Sequence, residues 1–109
     1  NLVLAVNYGG RDEIRRTISK ILKLHDQKKI TPAQLTEEFI ASHLDTATFG
    51  DPELIIRPSG EFRVSNFLLW QISYAEFYIT ETLWPDFGPK NLLEAVLSFQ
   101  SRKRRKGAC

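Results

Sequence analysis

The sequence predicts an α/β domain, a parallel sheet flanked by helices. Three observations predict it. Short, continuous apolar runs at 2–6, 54–56 and 77–80 read as buried strands. Stretches with apolar residues three or four positions apart lie between them and read as amphipathic helices. The resulting order is strand, helix, short helix, strand, helix, strand, helix. Such alternation needs crossover connections, which lay helices against a parallel sheet. Three strands make a narrow sheet, since about five or six is usual. The chain also lacks Met and opens inside an apparent strand. Further strands are therefore expected ahead of these residues.

The elements follow in order. Leu2-Val3-Leu4-Ala5-Val6 forms the first strand, stopped by the turn Asn7-Tyr8-Gly9-Gly10. A helix follows, with Ile14, Ile18, Ile21 and Leu22 on its inner face. Asp12 and Glu13 suit the first turn of that helix, and Asp12 can pair with Arg16 one turn on. Thr31-Pro32-Ala33-Gln34 carries the signature of a helix start, and Thr36 is a second cap, for a short helix over about 36–43. Residues 44–52 are a polar loop. Leu54-Ile55-Ile56 is a buried strand ended by Arg57-Pro58-Ser59-Gly60. A helix is expected over about 66–74, a third strand at 77–80 and a loop at 84–89. A last helix, about 90–104, should bury Leu92, Leu93, Val96, Leu97 and Phe99.

Composition narrows the class. The 109 residues suffice for one domain with a real core. At 42% hydrophobic and 26% charged, disorder is excluded. The net charge of +2 is unevenly spread, because five basic residues form the run 102–106. Outside that run, ten basic residues face thirteen acidic ones. The body is acidic and the segment 102–109 is a basic tail, so broad nucleic-acid binding is not expected. The single cysteine, Cys109, excludes an internal disulfide and a Cys-based zinc site. No apolar run is long enough to span a membrane.

The chemistry concentrates after the second strand. In open α/β sheets ligands bind beyond the carboxyl ends of the strands. Arg57, Arg63 and Ser65 stand there, with Gly60 allowing close backbone approach and a helix start following. Two guanidinium forks, a hydroxyl and unpaired helix N–H groups suit a phosphate or diphosphate. The competing reading makes Arg57 and Arg63 surface partners of Glu53 or Glu61, and Ser65 a helix cap. Glu76, flanked by apolar residues, is either a Mg²⁺ ligand or an arginine's partner. Glu61 carries the same ambiguity. Gly9-Gly10 is a phosphate cradle or a tight turn. His25 and His43 lack a second ligand at metal spacing. No Ser-His-Asp or Cys-His set exists, so no catalytic residue is assigned.

The block Arg57-Pro58-Ser59-Gly60-Glu61-Phe62-Arg63-Val64-Ser65-Asn66-Phe67-Leu68-Leu69-Trp70-Gln71 resembles the signature of the cis-prenyltransferases, the undecaprenyl diphosphate synthase family. Asn7-Tyr8-Gly9-Gly10-Arg11, Ala75-Glu76-Phe77-Tyr78, Leu83-Trp84-Pro85-Asp86-Phe87 and the Arg-rich end resemble further family blocks, in the family's order. The resemblance implies the C-terminal part, residues 1–109, of a single α/β domain of that fold. It implies a homodimer that condenses isopentenyl diphosphate with an allylic diphosphate such as farnesyl diphosphate, using Mg²⁺. The expected product in bacteria is undecaprenyl diphosphate, the precursor of the cell-wall lipid carrier. Arg57, Arg63 and Ser65 match the residues that hold the isopentenyl diphosphate. Glu76 matches a carboxylate associated with Mg²⁺. Glu61, Asn66 and Arg11 are supporting candidates within the matched blocks.

The resemblance also carries differences. Pro58 stands where Thr is commoner, and Lys106 where an aromatic is usual. The family's His-Met-Asp-Gly-Asn block, with its aspartate for Mg²⁺ and its allylic loop, is not in this sequence. The 109 residues alone are therefore expected to be inactive. The expected location is cytoplasmic, with a peripheral membrane contact. The alternative function is a non-catalytic partner subunit of a cis-prenyltransferase complex.

Overall fold

The computed structural model describes residues 1–106, with side chains as far as Arg102. The basic tail expected over 102–109 lies outside the described residues except for Arg102 and the helix backbone that follows it. The chain forms two compact units. One comprises 1–51 and 64–73, and the other 52–63 with the described residues from 74 onward.

The first unit is built on α1 (Gly10–Asp26). Asp12 and Glu13 near its start and Lys23 and His25 near its end complement the helix dipole. The expected Asp12–Arg16 pair forms at 2.9 Å. At the other end Lys28 takes a left-handed φ of 57°. Its N–H donates to His25 O and that of Lys29 to Leu24 O, which is a Schellman termination with Lys in the usual Gly place. A short 3-10 turn (Pro32–Gln34) carries the expected capping box with Thr31. The helix α2 (Glu37–Ala41) follows, its Thr36 Oγ1 accepting from Phe39 N at 3.1 Å.

Two expectations are corrected in this unit. Residues 2–7 form no strand: Leu2 is 89% exposed and Val6 79%. A strand needs a neighbour for its backbone groups, and the described residues offer this segment none. The inner face of α1 is also different. Ile14, Ile18, Ile21 and Leu22 line an open apolar groove of about 320 Å³ with Leu35, Ile40, Leu44 and Trp70. The residues of α1 that are buried are Gly10, Glu13 and Thr17.

The second unit holds β1 (Leu54–Arg57) and β2 (Glu76–Ile79), paired in parallel with Leu54 opposite Glu76 and Arg57 opposite Ile79. The expected parallel sheet is therefore present, with two strands rather than three among the described residues. Both strands are half-buried, not fully buried, because so narrow a sheet is incompletely covered. A 3-10 turn (Trp84–Asp86) leads to α3 (Pro89–Lys106), with Pro at its first position. The helix α3 packs on β2 with Ala95 fully buried. Leu92, Leu93 and Leu97, expected inside, are about half exposed. Trp84 is 69% exposed and stacks on Phe87.

Candidate functional site

Arg57 closes β1 at its carboxyl end, where its backbone oxygen accepts from Thr80 N at 3.1 Å. The chain then turns sharply. Ser59 and Gly60 both have left-handed φ, 66° and 67°. Their N–H groups donate to Thr82 O and Thr80 O, each at 2.8 Å. The loop after β1 is thereby pinned to the chain leaving β2. A side chain at Gly60 would have room but a strained backbone. Arg63 Nε lies 3.4 Å from Glu61 Oε2, with the Arg63 side chain 76% exposed. So open a pair contributes little stability and leaves the guanidinium accessible.

Ser65 and Asn66 belong to the first unit, Arg57 and Arg63 to the second. The helix expected from Asn66 to about Tyr74 is not formed; turns occupy that stretch. The cause is local. Ser65 and Asn66 have φ of 54° and 59°, a conformation that no right-handed helix can contain. The helix terminus counted toward the expected anion site is therefore absent. The Gly9-Gly10 turn is also engaged. Asn66 O accepts from Gly10 N at 2.7 Å and Asn66 Oδ1 from Arg11 N at 3.0 Å. This geometry favours the tight turn over the phosphate cradle.

Glu76 begins β2, at the opposite end of the short sheet from Arg57. Three residues of strand separate the two ends, roughly 10 Å. The Glu76 side chain is 20% exposed, with Arg102 Nη1 3.8 Å from its Oε2. That nitrogen donates to Phe77 O at 2.5 Å. Arg102 Nε and Nη2 are buried without an acceptor among the described residues. A partly shielded carboxylate fits as one ligand of a hard cation that keeps its waters. Among the described residues, however, no group of three His, Cys, Asp or Glu could hold a metal. Glu76 thus supplies at most one protein ligand, and these residues do not complete a metal centre.

Sequence reasoning missed the most buried polar cluster. Glu13 is 1% exposed and so is Gln71. Glu13 accepts from the Tyr8 hydroxyl, from Gln71 Nε2 at 2.9 Å and from Asp45 N at 2.7 Å. Gln71 Nε2 also donates to Thr46 Oγ1 at 3.1 Å. Burial, with Glu13 beside it, pushes the Tyr8 phenol well above its ordinary value of 10. Next to this cluster Arg16 grips Asp45 at 2.9 and 2.7 Å. Its hydrogen bonds hold the carboxyls of Asp45 and Asp12 below their ordinary 3.8. The available signal was the small and polar stripe Gly10, Glu13, Thr17 at helical spacing.

Comparison with known proteins places these motifs in context. The family described as "Putative undecaprenyl diphosphate synthase" matches residues 1–107. An isoprenyl transferase of Chlamydia pneumoniae is 57% identical over 106 residues, which are 97% of this chain and 42% of the relative. One from Heliobacterium mobile is 49% identical over 97% of this chain and 41% of its own length. Among solved structures, lavandulyl diphosphate synthase from Lavandula x intermedia, in complex with dimethylallyl diphosphate, superposes with a TM-score of 0.84 at 41% identity. It matches 88% of this chain and 42% of its own. A structure described as a probable undecaprenyl diphosphate synthase from Campylobacter jejuni gives 0.73 at 38%, over 89% and 42%. The chain thus spans about 42% of the length of these relatives.

Proposed function

This chain belongs to the undecaprenyl diphosphate synthase family, and from that premise we propose that it carries the isopentenyl diphosphate site of a cis-prenyltransferase. The reaction is condensation of isopentenyl diphosphate with an allylic diphosphate such as farnesyl diphosphate, giving a cis-polyprenyl diphosphate, of which undecaprenyl diphosphate is the bacterial case. The observation that carries the reading is Arg57. It stands at the carboxyl end of β1, where ligands gather in α/β sheets, and a pinned turn follows it.

In this reading Arg57 and Arg63 hold the diphosphate oxygens through guanidinium forks, and the Ser65 hydroxyl adds a donor. Held so, isopentenyl diphosphate keeps its double bond facing the allylic carbon that develops positive charge. Glu76 is one carboxylate for Mg²⁺, which when bound neutralises diphosphate charge. Glu61 and Arg11 remain supporting candidates. The working assembly is a homodimer, and the setting is cytoplasmic with a peripheral membrane contact; among the described residues no helix is long and apolar enough to cross a membrane. The 109 residues alone are predicted to give no prenyl transfer, and turnover of farnesyl diphosphate by them would contradict this.

Steady-state kinetics tests the assignment in the protein that carries these residues. Arg57→Gln and Arg63→Gln each remove a charge-assisted contact, so each should raise KM for isopentenyl diphosphate by roughly 10- to 100-fold. KM for the allylic diphosphate should stay unchanged. An effect confined to the allylic substrate would overturn the assignment.

A further inference from the structure

The first N–H groups of a helix have no partner inside it. At α1 the residue in the cap position is Gly9, which has no side-chain acceptor to offer the first N–H groups. Asn66 does the work from 55 residues away. Its backbone oxygen accepts from Gly10 N and its Oδ1 from Arg11 N. The paired glycines make the room. A Cβ at Gly10 would lie 2.7 Å from Leu69 Cγ and 3.3 Å from Asn66 O. One at Gly9 would lie 3.0 Å from Asn66 Nδ2. Asn66 presents both oxygens from a left-handed backbone, and Ser65 before it is left-handed too. Two consecutive non-glycine residues in that region persist only when their surroundings over-determine them. Here the surroundings are the start of α1.

We propose that Asn66 is a positioning residue: it caps α1 across the chain and thereby fixes the left-handed backbone that presents Ser65. It acts through that backbone and does not itself touch substrate. This joins the Asn7-Tyr8-Gly9-Gly10-Arg11 motif and the Ser65-Asn66 pair into one device. Its consequence for turnover rests on the reading of Ser65 as a diphosphate contact.

The test uses three single variants and one double variant in the protein that carries these residues. Asn66→Gly removes Oδ1 yet tolerates a positive φ, so the fold is retained. Asn66→Asp keeps a capping oxygen. Ser65→Ala removes the proposed contact. In Asn66→Gly, hydrogen exchange at the Arg11 amide and across 65–67 should speed up about fivefold, the usual worth of a cap. KM for isopentenyl diphosphate should rise severalfold while kcat holds. Asn66→Asp should keep protection and KM near the parent values. The double variant Ser65→Ala with Asn66→Gly should raise KM no further than Ser65→Ala alone. Unchanged exchange in Asn66→Gly overturns the cap. Effects that multiply in the double variant overturn positioning in favour of a direct substrate contact. If Ser65→Ala leaves KM unchanged, the diphosphate reading of Ser65 fails, and the exchange comparison alone decides whether Asn66 fixes this backbone.

Discussion

Glu13 is the residue on which the first unit turns. It is a carboxylate with almost no exposure, and it takes three donors from three separate segments. Replacing it by Ala leaves the Asp45 N–H and the Tyr8 hydroxyl without this acceptor and the Gln71 amide with Thr46 Oγ1 alone. The expected loss is about 3 kcal/mol, since each buried donor left unpaired costs roughly 1–3 kcal/mol. Denaturant unfolding of the Glu13→Ala variant checks it. Tyr8 adds a pH dependence whose sign is fixed. Its folded pKa is raised, so its contribution is present below the unfolded value of 10 and is lost as pH rises beyond it. Tyr8→Phe should therefore flatten the alkaline limb of stability against pH. An unaltered limb would show that Tyr8 does not control it. At this scale Arg57, Arg63 and Ser65 stood out in the sequence as a candidate anion site, because two guanidinium groups and a hydroxyl close together after a strand suit a phosphate. The sequence concealed Glu13, because a charged residue in a first helical turn already suits the dipole and asks for no further explanation.

Elements were legible where their signals are local. Thr31 with Gln34 and Thr36 before α2 each act within one turn, and each cap forms as expected. Two stretches whose structure depends on distant neighbours were not. The run 2–7 has the composition of a buried strand but meets no partner among the described residues. Residues 66–74 have the apolar content of a helix, yet Ser65 and Asn66 turn left-handed to serve α1. Nothing within that stretch announces the distant helix start that it caps. The end of α1 offers an element-scale prediction. Lys28 holds the left-handed place of the Schellman turn, where glycine carries no Cβ penalty. Lys28→Gly should stabilise the protein by about 0.5–1 kcal/mol or less, the remainder being offset by backbone entropy in the unfolded chain. A lowered melting temperature would contradict this.

At the scale of the whole molecule, the α/β class was readable because alternating strand and helix patterns admit few architectures. The narrowness of the sheet was readable too, and the chain spans about 42% of the relatives that it matches. The division into two compact units was not, since the boundary crosses the signature block between Arg63 and Val64. Charge also divides. The acidic body carries Arg57 and Arg63 close together in sequence, and a basic run ends the last helix. The central claim is that these arginines bind isopentenyl diphosphate, and calorimetric titration tests it most directly. With no allylic substrate present, isopentenyl diphosphate is titrated into the protein that carries these residues and into its Arg57→Gln and Arg63→Gln variants. The account predicts one saturable site, weakened roughly 10- to 100-fold by either change. Equal affinity in the parent and both variants would contradict it.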